Sequence, residues 1–264
     1  MRGTRKFALI TGATSGIGKV FAQRYAARGY DLLITGRREE KIRAVAAGIT
    51  SRYGVDVEVV IAELSNPEDV TGLADRVRDT NNLYVLINNA GFGTGRSNFK
   101  DGALETHLDM IRCHIEATVD LTHAALPQMI SRDEGTVINV SSVAAFLVFP
   151  TSSTYAPTKS YINAFTEVLH MELTGTGVRV QALCPGFTRT DFHPRLGWDA
   201  SRMKSKGIIR WGTADDVVDT SLEHLEKGKV ICVPGLLNRV ITRFLLWLPR
   251  RWYYHIAIDA KDKE

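Results

Sequence analysis

Cysteine is scarce in this chain. Only Cys113, Cys184 and Cys232 occur, an odd number, far apart and without a CxxC pair. That excludes a disulfide framework and a zinc knuckle, and it fits a reducing, cytoplasmic setting. The histidines show no HxxxH or HExxH spacing, so no metal centre is expected. No apolar run is long enough for a membrane-spanning helix. The opening MRGTRKFALITGA has a short apolar run that flows into a glycine turn, and it reads as a first strand rather than a signal peptide. Basic residues are scattered apart from Arg37-Arg38 and Arg250-Arg251. Without an interleaved basic and aromatic patch, no nucleic-acid partner is expected.

What remains is an ordinary globular composition, 44% hydrophobic and 23% charged with a net charge of +4. The 264 residues suit one large α/β domain. Apolar runs of strand type fall at 7–11, 30–35, 55–62, 83–88, 136–141, 178–183 and 230–233. Helical patterns separate them, at 19–28, 39–53, from Asn66-Pro67 onward, 105–132 with a bend at Pro127, 155–174 and 213–227. Strands alternating with helices predict a doubly wound parallel sheet of about seven strands, covered on both faces.

Five stretches carry candidate chemistry. The turn Gly12 to Gly18 lies between a strand and a helix, with Thr14, Ser15, Gly16 and Ile17 inside it. Gly12 allows a tight turn, Gly16 lets a pyrophosphate approach the backbone, and Gly18 lets helix and strand pack closely. A plain glycine turn is the competing reading. After the second strand stands Gly36-Arg37-Arg38, with no acid to bond a ribose 2′-hydroxyl. Arg37 can pair with a 2′-phosphate, which favours NADP(H) over NAD(H). Alternatively, both arginines simply open the next helix on its solvent face. Glu63-Leu64 ends the third strand, within reach of an adenine amine. Asn88-Asn89-Ala90-Gly91 ends the fourth and can line a cofactor floor. Finally, Ser142 ends the fifth strand, and Tyr155 and Lys159 share one helix face. An ammonium near a tyrosine favours the phenolate and lowers its pKa. A tyrosine so tuned exchanges a proton with a carbonyl or alcohol oxygen that the Ser142 hydroxyl holds.

Together these motifs resemble the short-chain dehydrogenase/reductase family over residues 5 to about 235. TGATSGIG resembles its cofactor glycine motif, NNAG its sheet-stabilising motif, and Ser142 with Tyr155-x-x-x-Lys159 its catalytic set. Pro185-Gly186, followed by Thr188 and Thr190, resembles the segment that holds the nicotinamide amide. The resemblance implies a Rossmann fold, no metal, and hydride exchange between a nicotinamide cofactor and a carbonyl or secondary alcohol. It also implies a homodimer or homotetramer. Two positions depart from the pattern. His114 stands where the family usually has asparagine, and it can either hold a water that relays protons to Lys159 or pack inertly. Glu63 stands where aspartate is commoner.

The segment 191–212 falls where the family builds a substrate lid, and it carries Phe192, Leu196, Trp198, Met203, Ile208, Ile209 and Trp211. Such a lid suits an apolar substrate. LINNAGFG and the apolar tail resemble the branch with 3-oxoacyl and hydroxysteroid reductases. In the tail, 236–264, Ile241, Phe244, Leu245, Leu248 and Trp252 recur at helical spacing around Pro249, with arginines between them. Packing on the domain or at an oligomer seam is expected, with a membrane interface as the second reading. A cofactor-binding regulator without turnover is the rival from outside enzymology.

Overall fold

The structure is a computed structural model that describes residues 5–95, 98–197, 199, 203, 205, 210–247 and 249–261. In chain order the elements begin with β1 (Phe7–Ile10), α1 (Gly16–Ala27), β2 (Asp31–Thr35), α2 (Glu39–Tyr53), β3 (Val57–Val60), α3 (Pro67–Asp79) and β4 (Leu83–Asn88). There follow α4 (Leu104–Ile111), α5 (Ala117–Ser131), β5 (Gly135–Val140), α6 (Tyr155–Glu172) and β6 (Val178–Leu183). Two short strands, β7 (Thr188–Arg189) and β8 (Gly212–Thr213), precede α7 (Ala214–Glu226), β9 (Ile231–Cys232), α8 (Leu236–Trp247) and α9 (Arg250–Lys261).

Seven strands form one parallel sheet in the order β3-β2-β1-β4-β5-β6-β9. Its register explains the unbroken apolar strand sequences. Leu33, Leu9, Leu86, Val137 and Val180 are neighbours across the sheet and belong to the core that includes α3 and α5 residues. One residue along, Ile34, Ile10, Ile87 and Ile138 form the matching row in the core shared with α1 and α7. Both faces are buried, so alternation with polar residues is absent. Gln181 continues the second row as a fully buried amide, satisfied by Ser221 Oγ, which donates to it at 2.6 Å. The strand order reverses between β1 and β4. That switch point opens a crevice at the carboxyl ends of the strands.

The predicted architecture holds, with local corrections. Helix α1 starts at Gly16, three residues before the apolar periodicity begins. Strands β3 and β9 are shorter than their apolar runs. The helix expected over 105–132 is interrupted, not at Pro127, which lies inside α5, but by a π-turn at Arg112–Glu116. The β7–β8 pair was not foreseen. It ties the Pro185-Gly186 segment to Gly212–Thr213, at the end of the stretch expected to form a lid. In the tail α8 and α9 flank Pro249, as the spacing implied, and α8 packs against the turn Val143–Phe146. Trp198, Ile208, Ile209 and Leu248 lie outside the described residues. No described helix is long and apolar enough to cross a membrane.

Candidate active site

The ends of β1 and β4 are stitched together by side chains. Thr11 Oγ1 accepts from the Asn89 and Ala90 amides at 2.9 and 3.0 Å. Asn89 Nδ2 donates to the Thr11 and Gly12 carbonyls at 2.8 and 3.1 Å. This explains Gly18, because a Cβ there would sit 2.4 Å from Asn89 Nδ2. Gly12 has φ +66 and Gly16 φ +56, the left-handed region that other residues enter at a cost. Deeper, Asn88 Nδ2 donates to Thr122 Oγ1 and Asn139 Oδ1, and Asn139 Nδ2 donates to Thr166 Oγ1. That buried amide chain locks β4 and β5 between α5 and α6.

Helix α6 begins at Tyr155. Its first turns are fixed to β5 around the expected catalytic positions. Ser141 Oγ donates to the Lys159 carbonyl at 2.9 Å, and Lys159 Nζ donates to the Val140 carbonyl at 2.9 Å. Ser142 Oγ accepts from the Ala144 amide at 3.1 Å, which leaves its hydroxyl proton to donate elsewhere. The Lys159 ammonium is buried, and desolvation pushes its pKa down to about 8. Its nitrogen lies 5.9 Å from the centre of the Tyr155 ring. Burial raises the Tyr155 pKa, and a hydrogen bond with Ser142 works against that rise. This corrects the expectation that Lys159 would pull the phenol down. Desolvation is the larger effect, and the ammonium reaches past the ring to Val140. Cys113 and Cys184 feel the same ammonium, yet burial pushes both thiols up to about 12.

His114 sits in the π-turn, buried, edge-on to the Tyr155 ring at 5.8 Å. Its Nε2 accepts from the Phe92 amide at 3.1 Å. A nitrogen that accepts carries no proton, so Nδ1 carries it and donates to Thr158 Oγ1 at 3.0 Å. Thr158 Oγ1 in turn donates to the Tyr155 carbonyl at 2.8 Å. Burial, then the Lys159 charge, holds the ring neutral, well below the usual histidine range. Both ring nitrogens are therefore committed to protein partners. Neither remains to hold a relay water, so of the two expected roles the geometry favours a packed strut.

One cavity of about 580 Å³ gathers these groups. Gly12, Thr14, Ser15, Gly16, Ile17, Arg37, Glu63, Leu64, Asn89, Ala90, Gly91, His114, Ser142, Tyr155, Lys159, Pro185, Gly186, Thr188 and Thr190 all line it. Gly18 alone of the expected cofactor residues does not; it packs behind the turn. Arg37 is engaged with Glu63 at 2.9 Å, so Glu63 faces the arginine rather than standing free for an adenine. Arg38, which sequence reasoning left out of the site, is the arginine that reaches the glycine turn: its Nη2 donates to Thr14 Oγ1 at 3.0 Å. The Arg37-Arg38 doublet was the only signal for it. Phe92, Val143, Leu147, Phe187, Phe192, His193 and Arg195 also line the cavity. Phe192 stands 6.0 Å from the Tyr155 ring, and Trp211 braces Phe187 at 5.2 Å.

A doubly wound sheet with a glycine turn at its switch point and a Ser-Tyr-Lys set in the same crevice defines an oxidoreductase of the Rossmann type. The family model for short chain dehydrogenase matches residues 6–199, and the chain belongs to that family. It is 36% identical over 186 residues to sulfoacetaldehyde reductase 2 of Chromohalobacter salexigens, covering 70% of this chain and 73% of that one. It is 32% identical over 194 residues to the very-long-chain 3-oxoacyl-CoA reductase of Anas platyrhynchos, covering 71% and 61%. Among solved structures, a short-chain dehydrogenase from Sphingobium yanoikuyae in complex with NADPH superposes with a TM-score of 0.81 at 29% identity, covering 98% and 94%.

Proposed function

We propose that this protein is an NADP(H)-dependent oxidoreductase that interconverts an apolar ketone, of 3-oxoacyl or steroid-like type, and its secondary alcohol. The observation that carries this reading is one cavity that holds Ser142, Tyr155 and Lys159 together with the glycine turn and the Arg37-Arg38 pair. The residues fit a dinucleotide. Gly16 leaves room where a Cβ would meet Thr190 at 2.8 Å, and Ser15, Gly16 and Ile17 at the start of α1 line the same cavity, where helix-opening amides suit a phosphate. When bound, the nicotinamide supplies the hydride. Tyr155, kept protonated by burial, gives its proton to the carbonyl oxygen. Ser142, whose hydroxyl bonds the phenol before substrate enters, turns that proton to the carbonyl oxygen as charge develops. Lys159 spends one N–H on Val140 and has two left for the cofactor ribose and the phenol.

Arg37 and Arg38 follow β2 directly, where an acid would claim a ribose hydroxyl, and they support NADP(H) over NAD(H). The relatives' names run from a small polar aldehyde to a long acyl chain. The wall supports the apolar class, because Phe92, Val143, Leu147, Phe187 and Phe192 line the same cavity as Tyr155. The three buried free cysteines support a reducing, cytoplasmic location. Exposed Tyr161, Val168 and Met171 on α6 support a symmetric homodimer. The test is NADPH oxidation with sulfoacetaldehyde, a 3-oxoacyl thioester and a steroid ketone. Turnover should favour the two apolar substrates, and Tyr155→Phe should lower it by about a hundredfold or more while NADPH still binds. Near-native turnover in that variant would remove Tyr155 from its role. No turnover with any carbonyl would favour a cofactor-binding regulator.

A further inference from the structure

The cavity wall holds an unbalanced set of charges. Arg37, Arg38 and Arg195 line it, and Glu63 is the only carboxylate among its described lining residues. Arg37 is matched by Glu63. The other two guanidiniums share one acid: Asp191 Oδ2 lies 3.5 Å from Arg38 Nη1 and 3.6 Å from Arg195 Nη2. Arg38 also touches the glycine turn at Thr14 and Ser15. A continuous path therefore runs from the glycine turn through Arg38 and Asp191 to Arg195. Arg195 and Asp191 belong to the segment that starts the lid, not to the strand ends that usually build a nucleotide site. Burial and the nearby charges of Arg38 and Arg37 all disfavour the Arg195 cation, and Asp191 favours it. Three cations against two carboxylates leave room for an anion, and a guanidinium fork matches phosphate geometry.

We propose that Arg195 is a specificity-determining residue that reads the cofactor's 2′-phosphate from the lid, with Asp191 holding it beside Arg38. The inference rests on the NADP(H) reading above and adds a third guanidinium to it. It also gives the lid a stake in cofactor identity. Asp191 directly precedes Phe192, whose ring lies against Tyr155, and Leu196, next to Arg195, packs at Gly93. A phosphate drawn to Arg38 and Arg195 would hold the neighbouring wall of the substrate pocket in place.

The test uses ligands that cannot react. Adenosine 2′,5′-bisphosphate and adenosine 5′-phosphate are titrated calorimetrically into the full chain. The wild type should bind the bisphosphate more tightly. Arg195→Ala should lose about tenfold in affinity for the bisphosphate and little for the monophosphate, as one charge-assisted pair predicts. Arg195→Lys keeps the charge and loses the fork, so it should fall between them. Thermal unfolding without ligand should be the same for all three proteins, since the residue lies on an exposed turn. Equal losses for both ligands, or no loss for either, overturn the role of Arg195 while the NADP(H) reading stands. A wild type that binds the two ligands equally overturns both.

Discussion

His114 Nδ1 donates to Thr158 Oγ1 at 3.0 Å, and Thr158 Oγ1 passes the constraint to the carbonyl of Tyr155. With Nε2 occupied by the Phe92 amide, the imidazole bridges the loop after β4 and the first turn of α6. It holds the phenol's backbone, not its proton.

Thr158→Val keeps the volume and removes the hydroxyl, so both the ring and the Tyr155 carbonyl lose a partner. The expected result is a fall of about tenfold in kcat with cofactor affinity unchanged, the scale of one buried hydrogen bond. His114→Asn is too short to reach both partners and should lose a similar amount. Because the ring stays neutral, the loss should be the same from about pH 6 to pH 8. A deficit that changes across that range would restore the relay role.

The sequence made some of this legible and hid the rest for a physical reason. The glycine turn, the Asn-Asn-Ala-Gly strand end and the Tyr-Lys pair each need particular backbone positions within a few residues. Their spacing is therefore written into the chain. The tautomer of His114 depends on Phe92 and Thr158, which are 22 and 44 residues away. Arg38 meets Asp191 across 153 residues, and no local pattern records that meeting. The π-turn was also hidden. One extra residue shifts helical periodicity by too little to read against apolar residues on more than one face. The Tyr155 pKa went the wrong way because a neighbouring charge is visible in a sequence, while the depth of burial is not.

Lys159 gives a pH test of stability. Its ammonium is buried, and its pKa falls from 10.5 to about 8. Below about pH 8 the lysine is charged in both folded and unfolded chains, and the fold bears the full desolvation cost. That cost is on the order of 3 kcal/mol. Between the two pKa values the folded lysine is neutral while the unfolded one is still charged, so the cost shrinks as pH rises. Lys159→Met should therefore be more stable than the wild type by about 2 kcal/mol near neutrality, after about 1 kcal/mol is lost by the unpaired Val140 carbonyl. The gap should close as pH rises from about 8 towards 10. Urea titrations at several pH values check it, and a gap independent of pH over that range would mean that the folded lysine stays charged with its ordinary pKa.

The buried amide chain can be tested away from the chemistry. Asn139 is fully buried between Asn88 and Thr166. Asn139→Ala leaves a cavity and strips both neighbours of a partner, for an expected loss of about 2–4 kcal/mol in urea unfolding. A loss below about 1 kcal/mol would mean that the sheet is held by its apolar rows alone.

The tail carries the last prediction. One side of α8 and α9 is fastened beside the cavity wall. Tyr253 is buried and its hydroxyl accepts from the Val148 amide at 2.8 Å, while Asn238 lies so close that a Cβ on Gly186 would meet it at 2.5 Å. Val148 follows the turn that Ser142 caps, and Gly186 belongs to the segment expected to hold the nicotinamide amide. The other side exposes Leu236, Val240, Phe244 and Trp247, which recur at helical spacing along α8 with Arg243 among them. An apolar stripe of that kind is seldom left in water. A chain ending at Leu236 should therefore lose on two counts. Without Tyr253 the Val148 amide is unpaired and the turn beside Ser142 loosens, so the substrate KM should rise about tenfold. Affinity for adenosine 2′,5′-bisphosphate, which draws on Arg37, Arg38 and Arg195 rather than on Val148 or Gly186, should hold. Sedimentation should show an oligomer for the full chain and a smaller species for the truncated one, as a stripe that forms a subunit seam requires. If the truncated chain keeps its mass and its KM and only stops pelleting with anionic vesicles, the stripe belongs at a membrane interface instead.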